Sequence, residues 1–446
     1  MEETRESKIA AKEQDSPQIL TSEADESDNE SIGSDESLIE PYFQYCFKIE
    51  RLLESIGLRN FSVKPIQHGY EFQNCVYALQ STADDAEQYI LRVPVLPNFE
   101  YHETRCSSIE NDAALLGDLE HKLPGLAPRV KAFDATKDNP LETPYTVQTR
   151  IPGVSLDHVY DELNFEEKCA IVDQFVGLLS RIESIHFRVA GTFSANPLRW
   201  TKIRSVTSGA VLKLFDEGPE EFVSGPKIAE DREGRDLKLF LSSHIEGWIC
   251  QQKKEEVSLS LPLLPRLFGM LETLGREGAF AAKETPVVLN HWDLEPRNIM
   301  VEKVNDAWKI CGVIDWDGAM ALPRPLARRA PDWIWDYNRE GFTGLLDNDH
   351  HPNQALSDES KDLKAYFDAK AAATLEGYLE DAYGKGVWLR TIWTFARRGA
   401  ENCWYVDLLK KLVDDWDAGP AAEDEGVRAF WYYWTLQLKS LVSRWF

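Results

Sequence analysis

A histidine, two aspartates and an asparagine lie close together in one segment past the middle of the chain. His291, Asp293 and Asn298 follow the spacing H-x-D-x-x-x-x-N, and Asp315 comes directly after the apolar run 311–314. Phosphoryl transfer uses an aspartate that receives a hydroxyl proton, an asparagine on a metal ion and a second aspartate on the same metal cluster. The spacing therefore predicts a phosphotransfer site in this segment.

Each of these side chains has a chemically suitable role. Asn298 and Asp315 supply the oxygen ligands that Mg²⁺ prefers, to be completed by phosphate oxygens and water. Asp293 would accept the proton of the attacking hydroxyl and orient that hydroxyl toward phosphorus. His291 is expected to brace the loop by hydrogen bonding. The alternative is a buried β-hairpin whose acids simply face solvent.

The elements around the segment are expected to bring these residues together. The sequence predicts a short strand at Val287–Asn290, a loop stiffened by Pro296, and two further strands at Ile299–Glu302 and Lys309–Ile314. If the last two strands pair across the turn 304–307, their outer ends meet. Asn298 and Asp315 would then be neighbours.

The residues before this segment predict a helix followed by a small sheet and a second helix. The apolar spacing of residues 43–56 indicates a helix that ends at Gly57. The second helix is predicted at Ser107–Leu119. The strands are predicted at Phe61–Gln67, Cys75–Gln80, Tyr89–Val93, Leu126–Phe133 and Tyr145–Ile151. The turn His68–Asn74 holds one glycine, Gly69, and so gives little support for a phosphate-cradling loop.

The remaining chain is expected to be mainly helical, which makes the predicted fold class α+β. A helical region begins at Val154, and Val206–Asp236 looks irregular. Helices are predicted at Phe165–Arg188, 237–252, 258–277, Lys361–Tyr383, Trp388–Val413 and Glu425–Trp445. Several prolines between residues 323 and 331 indicate a loop after the central segment.

Composition excludes several classes of function. The 446 residues carry a formal charge of -26, and residues 1–40 contain 13 acids and 3 bases, which predicts a disordered acidic tail. Because phosphate binding needs clustered basic residues, nucleic acid is not an expected partner. The seven scattered cysteines predict reduced thiols. No signal-peptide core or membrane-length apolar run is visible, so a cytoplasmic location without membrane partners is expected.

Two stretches of the sequence resemble a known family. HWDLEPRNIM followed by GVIDWDGA is similar to the aminoglycoside phosphotransferase-like family, also called the phosphotransferase enzyme family, and IDWDGAMALPRPLARRAPDWIW resembles its fungal members. The resemblance implies a two-lobed protein-kinase-like fold, with a small antiparallel-sheet lobe at 41–150 and a large, mainly helical lobe at 151–446. It also implies ATP or GTP as donor, Mg²⁺, and a small-molecule hydroxyl as acceptor.

The resemblance also assigns roles to individual residues. Asp293 matches the catalytic base of the family, and Asn298 and Asp315 match its metal ligands. PYTVQTRIPGVSL resembles the linker between the lobes, which implies that Gln148, Thr149 and Arg150 lie near the nucleobase.

Two expected positions depart from the family pattern. Arg92 stands where the family carries a phosphate-binding lysine, and Asp112 stands where the lysine's helical partner is usually a glutamate. Arginine keeps the positive charge but is not interchangeable with lysine. The Arg92–Asp112 pair is therefore a hypothesis, with Glu110 a little upstream of the expected partner position.

Several alternatives stay open on the sequence alone. The chain would be an ATP-dependent small-molecule kinase or a catalytically weak pseudokinase that binds nucleotide and acts as a regulator or scaffold. Arg297 would meet a phosphate or brace a neighbouring acid. Acidic and aromatic residues after the central segment would hold a cationic substrate or would serve as core and helix caps: Asp332, Trp333, Trp335 and Asp336.

Overall fold

The computed structural model describes most, but not all, of the chain. Residues 46–446 form one compact unit, and residues 1–45 form another, of which only the start of a helix is described. The predicted acidic tail, the turn residues 68–73 and the helix candidate at 425–445 lie outside the described residues. The described ranges are 42–67, 74–81, 87–94, 102–195, 210–214, 236–254, 260–282, 284–336, 356–398 and 403–418.

A five-stranded antiparallel sheet forms the N-terminal part and carries Arg92. Its spatial order is β1-β2-β3-β5-β4. Along the middle strand β3, Tyr89, Leu91 and Val93 are buried while Arg92 is only partly buried, because alternate residues of a strand face opposite sides of the sheet. The strands are β1 Phe61–Gln67, β2 Asn74–Ser81, β3 Tyr89–Pro94, β4 Val130–Asp134 and β5 Tyr145–Thr149.

Two helices accompany this sheet. Helix α1 spans Tyr42–Ser55, and Gly57 follows it with a φ of 81°, a left-handed conformation that commonly ends helices. Helix α2 spans His102–Lys122 and contacts β4. The predicted helix covered only the part of α2 from Ser107 to Leu119, because its first turn is polar and carries no apolar spacing.

The connection from this sheet to the rest of the chain corrects one prediction. The expected helical region at Val154 is instead the short strand β6, Val154–Ser155, followed by two 3₁₀ turns at Leu156–His158 and Tyr160–Glu162. Strand β6 pairs with a strand of the central segment. Gly153 precedes it with a φ of 86°, and a Cβ there would lie 2.1 Å from the Val301 carbonyl oxygen, so only glycine fits.

Helix α3 is the first long helix of the second part. It spans Phe165–Glu183, and Asn164 and Glu167 form a capping box at its start. It ends before the predicted Arg188, because His186–Phe187 form strand β7. The predicted irregular stretch at 206–236 also contains a strand, β9.

A second five-stranded sheet has the order β7-β10-β13-β8-β9, and a three-stranded sheet has the order β12-β11-β6. The predicted proline-rich loop begins with a strand, β13, which pairs with β10. Proline is tolerated there because it stands at the strand's end. The strands not yet named are β8 Gly191–Ala195, β9 Ala210–Leu214, β10 Val287–Asn290, β11 Ile299–Val304, β12 Ala307–Val313 and β13 Met320–Pro323.

Helices make up most of the described C-terminal part. The predicted long helix at Lys361–Tyr383 is divided at Gly377, whose φ of 73° interrupts the helical path, and the predicted helix at Trp388–Val413 is described as two helical stretches on either side of residues 399–402, which lie outside the described ranges. The helices are α4 Leu237–Lys254, α5 Leu264–Arg276, α6 Arg324–Ala327, α7 Asp358–Thr374, α8 Tyr378–Tyr383, α9 Lys385–Arg398 and α10 Cys403–Ala418.

One apolar core connects these elements, reaching from α2 through α3 and β10 to α10. The predicted α+β class is confirmed: an antiparallel sheet comes first, and a mostly helical part follows. Within the described ranges, no helix is both long and apolar enough to cross a membrane.

Candidate active site

The β11–β12 hairpin brings the two ends of the central segment together. Its turn residues Asn305 and Asp306 have φ values of 50° and 61°, the left-handed conformation that tight hairpin turns require. Ile299 pairs with Val313 at the open end. One residue further out, the Ile314 N–H donates to the Asn298 carbonyl at 2.9 Å. Asp315 is consequently held beside Asn298, as the sequence predicts.

Asp293 is held by two side chains of its own loop. Asn298 donates from Nδ2 to the Asp293 carbonyl oxygen and to Asp293 Oδ2, both at 2.9 Å. Arg297 donates from Nη2 to the other carboxylate oxygen, Oδ1. The predicted base and the predicted metal ligand Asn298 are therefore in direct contact, and the short 3₁₀ turn Pro296–Asn298 sets their spacing.

Arg92 reaches this site from the N-terminal sheet. Its Nη1 lies 2.8 Å from Asp317 Oδ1, and its Nη2 lies 2.6 Å from Asp317 Oδ2 and 3.0 Å from Asp315 Oδ1. Burial lowers the pKa of Arg92, but the carboxylates of Asp317 and Asp315 raise it overall, so the guanidinium is charged. Asp112 adds a smaller attraction, and the direct Arg92–Asp112 pair stays a prediction.

Asp317 belongs to the site as well. Its side chain is 28% exposed and accepts hydrogen bonds from both terminal nitrogens of the Arg92 guanidinium. The sequence signal was present, since Asp315 and Asp317 are two residues apart. The sequence could not predict that the partner of Asp317 would be Arg92, on the distant strand β3.

The acids of the site fit a magnesium ion bound together with phosphate. Burial and the Asp317 carboxylate raise the pKa of Asp315, and Arg92 counteracts them, so negative charge is crowded where a cation would relieve it. In the part of the chain that is described, no group of three or more His, Cys, Asp or Glu residues could hold a metal on its own. Such a site suits Mg²⁺, which takes one or two carboxylates plus phosphate oxygens and water.

His291 connects two parts of the site through a hydrogen bond and a ring contact. Its Nε2 donates to the Ile314 carbonyl at 3.0 Å, and its ring meets the edge of the Trp316 ring at 4.5 Å between centroids. Burial lowers the pKa of His291 to about 4, so the ring is neutral near pH 7. Because it links the loop before Asp293 to the residue before Asp315, it ties the two halves of the site.

Two non-glycine residues of the site have positive φ. Trp292, directly before Asp293, has φ 67°, and Asp315 has φ 62°. A bulky residue in this region is an outlier that costs about 1–2 kcal/mol. Trp292 is held there by a backbone hydrogen bond to Asn290 Oδ1 and by the guanidinium groups of Arg329 and Arg397, which lie 5.2 and 5.7 Å from its ring centroid.

The three residues predicted near the nucleobase lie at the end of β5. Gln148 pairs with both neighbouring strands and is buried. The Thr149 N–H donates to the Arg129 carbonyl and the Arg150 N–H to the Gln88 carbonyl, each at 2.8 Å. Because both N–H groups donate to neighbouring backbone carbonyls, the structure does not present them to a ligand. A nucleobase contact at these residues stays a prediction.

The aromatic residues considered for a cationic acceptor belong to the core. Trp333 is 5% exposed and packs edge-on against Phe175 at 5.1 Å and Tyr160 at 5.4 Å between ring centroids. Trp335 is 8% exposed and stacks near Phe367. The structure therefore favours the core interpretation for these tryptophans over a cation-binding one.

A pocket lies between α3 and residues 327–333, against the loop that carries His291 and Asp293. Trp292 and Glu295 form part of its wall. Burial, together with the carboxylate of Asp332, raises the pKa of Glu295 to about 8, so this side chain is protonated near pH 7.

The site thus combines an antiparallel sheet, whose arginine reaches two aspartates, with the loop H-x-D-x-x-x-x-N. The chain matches the phosphotransferase enzyme family over residues 62–324, and it belongs to that family. This confirms the resemblance given by the motifs. The match ends at Arg324, before most of the described C-terminal helices.

Solved structures that resemble this chain include a complex with streptomycin and ATP and an ethanolamine kinase. The streptomycin–ATP ternary complex of APH(2″)-IIa has 14% identity, a TM-score of 0.42, and coverage of 85% of this chain and 98% of its own. An ethanolamine kinase of Plasmodium vivax has 12% identity, a TM-score of 0.41, and coverage of 80% and 82%. No match was found among curated proteins.

Proposed function

We propose that this chain is a kinase that transfers the γ-phosphate of ATP or GTP to a hydroxyl of a small molecule. The observation that carries the proposal is the convergence of Asp293, Asn298 and Asp315, with Arg92 beside them. These are a base, two oxygen ligands and a phosphate-directed cation, the parts from which phosphoryl transfer is assembled.

Each residue has a defined part in the proposed reaction. Asp293 accepts the acceptor's hydroxyl proton as the new O–P bond forms and the bond to the leaving nucleoside diphosphate breaks. Asn298 and Asp315 would hold Mg²⁺, which neutralises charge on the phosphate oxygens when it is bound. Arg92, oriented by Asp317, contacts the phosphates from the sheet side.

The lobes follow from the same proposal. Residues 41–150 would be the nucleotide-binding lobe, since they carry Arg92 and the end of β5 with Gln148 and Thr149. Residues 151–446 would hold the catalytic loop and the acceptor. The pocket beside Trp292 is a candidate acceptor site, and a neutral Glu295 in its wall gives no particular preference for a cationic acceptor.

One observation favours a second candidate function. Arg92 forms an ion pair with Asp315, the predicted metal ligand, at 3.0 Å. If that pair persists when nucleotide binds, the chain would be a pseudokinase that recognises nucleotide without efficient transfer. This candidate predicts nucleotide binding that does not depend on Mg²⁺.

The test combines nucleotide binding with a search for product. Wild type, Asp293→Asn and Asp306→Asn are incubated with Mg²⁺ and ATP or GTP against a panel of neutral and amine-bearing alcohols, and phosphorylated products are detected by mass spectrometry. Asp306 is an exposed turn residue of the same hairpin, so its isosteric change is a matched control. The kinase proposal expects product from wild type and Asp306→Asn only.

Two other outcomes have clear meanings. Tight nucleotide binding with no product from any panel member would favour the pseudokinase. Absence of nucleotide binding by the wild type would contradict both candidates.

A further inference from the structure

Arg297 lies between the proposed base and the proposed metal ligand Asn298 and is surrounded by acids. Its Nη2 contacts Asp293 Oδ1. The carboxylate of Asp315 also interacts electrostatically with the guanidinium. The guanidinium is therefore within electrostatic reach of both the proposed base and the following aspartate.

The backbone of Arg297 is fixed while its side chain is accessible. Ser155 Oγ lies 3.1 Å from the Pro296 carbonyl oxygen and 2.7 Å from the Arg297 carbonyl oxygen. The neighbouring Asn298 is buried, whereas the Arg297 side chain is 56% exposed. A charged group on an anchored backbone can reach a bound ligand without moving the loop.

Bracing of Asp293 does not account for this arrangement. Asn298 already fixes Asp293 through hydrogen bonds to its carbonyl and its Oδ2, each 2.9 Å long. An exposed ion pair four residues apart contributes little to stability, so Arg297 adds little to a carboxylate that is already oriented. A nucleotide phosphate offers the guanidinium a more highly charged anion, which it binds through two parallel hydrogen bonds.

We propose that Arg297 is a catalytic residue of the phosphotransfer proposed above, on which this inference rests. Its guanidinium leaves Asp293 Oδ1 and binds the oxygens of the transferred phosphoryl group as the acceptor oxygen bonds to phosphorus. The electron pair of the broken P–O bond leaves with the nucleoside diphosphate, and the hydroxyl proton passes to Asp293. A cationic side chain in this role stabilises charge on the phosphoryl group in the transition state.

The experiment measures how much a phosphoryl mimic strengthens nucleotide binding. Dissociation constants of MgADP are determined calorimetrically with and without aluminium fluoride, for wild type, Arg297→Ala, Arg297→Lys and Arg266→Ala. Arg266 is the matched control, since its side chain is 52% exposed and pairs with Asp417 on another part of the chain. Melting temperatures of all variants establish that each is folded.

The expected result is selective. In Arg297→Ala, aluminium fluoride should tighten MgADP binding about 10- to 100-fold less than in wild type, because a hydrogen bond to a charged group is lost. MgADP alone should bind to this variant as it does to wild type. Arg297→Lys should lose less, and Arg266→Ala nothing. Equal tightening in wild type and Arg297→Ala would overturn the inference.

A second background separates phosphate binding from bracing. In Asp293→Asn the charge that a brace would neutralise is gone, so a bracing arginine would have no further effect on the fluoride complex. The proposal expects Arg297→Ala to weaken that complex in this background as well, and no effect there would overturn it. If wild type does not bind MgADP at all, the proposed function itself is wrong. If wild type binds MgADP and Arg297→Ala shows the same tightening with aluminium fluoride, only the role of Arg297 is wrong.

Discussion

Arg92 shows what an arginine does at a position where lysine is usual in the family. The planar guanidinium places two nitrogens on Asp317 and shares one of them with Asp315. A lysine has one nitrogen on a flexible stem and would not hold both acids in the same geometry. Asp317 therefore orients the guanidinium in this structure, and the Arg92–Asp112 pair that the resemblance implies stays a prediction.

Replacing Arg92 should weaken nucleotide binding strongly. We expect Arg92→Ala to raise the dissociation constant of MgATP by about tenfold or more, because a charged hydrogen bond to phosphate is lost. Arg92→Lys should fall between this variant and wild type. Isothermal calorimetry measures both, with Arg266→Ala as control, and an unchanged constant in Arg92→Ala would refute the phosphate-directed role.

Glu295 predicts a dependence of stability on pH. Its pKa in the folded chain is about 8, above the usual value of 4.5, so between these values the folded state binds more protons than the unfolded state. Stability from this group is therefore full below about pH 4.5 and is lost as the pH rises through about 8.

Glu295→Gln should remove this dependence. At pH 9 the variant is expected to be more stable than wild type by about 1–2 kcal/mol, less than the pKa difference alone would give because the side chain is partly exposed, and at about pH 4 the two should be nearly equal. Urea unfolding at both pH values measures the difference. Glu246→Gln, an exposed change on α4, should show none, and parallel pH profiles of Glu295→Gln and wild type would contradict the expectation.

At the scale of elements, local patterns predicted what lies within one stretch of chain. Strand β1 was predicted at its observed bounds, and the β11–β12 hairpin followed from two apolar runs around a polar turn. That hairpin was enough to place Asn298 beside Asp315. The strands β6, β9 and β13 were missed because two to five residues carry too little periodicity, and their pairing comes from distant partners.

Contacts between remote residues could not be predicted from the pattern. Arg328, in the basic run after the central segment, is 3% exposed and forms ion pairs with Glu183 on α3 and Asp381 on α8. These pairs join the segment after β13 to two helices that are distant in the sequence. The choice of partners depends on how helices pack, which spacing along the chain does not encode.

Gly153 gives a prediction at the element scale. We expect Gly153→Ala to destabilise the fold by about 2–4 kcal/mol, because the new Cβ would meet the Val301 carbonyl on β11 in a backbone conformation that disfavours alanine. Gly125→Ala is the matched control: its φ is 76° but nothing lies within 4 Å of the added Cβ, so a smaller loss is expected. Denaturant unfolding compares the two, and equal losses would mean that the β6–β11 approach is unimportant.

On the scale of the whole molecule, ligand binding should report on the assembled site. MgATP at about 100 times its dissociation constant should stabilise the folded chain by about 2.7 kcal/mol, a rise of a few degrees in melting temperature. Chelation of Mg²⁺, or Asp315→Ala, should remove most of that rise. Differential scanning fluorimetry measures it, and an equal shift with and without Mg²⁺ would argue against Asp315 as a metal ligand.

The family assignment follows from a sequence match, whereas the site follows from the positions of individual side chains. Residues 62–324 match the family, and within them the sequence predicted Asp293, Asn298 and Asp315 as one cluster. The sequence did not identify the acceptor. Trp333 and Trp335, which it offered as contacts for a cationic substrate, are buried in the core, and their burial depends on how the helices pack.

Trp292 has a consequence for engineering the chain. Its φ of 67° is one that glycine adopts freely and tryptophan does not. Relief of strain alone would therefore favour glycine here by about 1–2 kcal/mol. The same change would remove an indole that packs against the apolar core and lies beside two guanidinium groups, and that loss is expected to be larger. A redesign guided by backbone strain alone would thus destabilise the chain at this position.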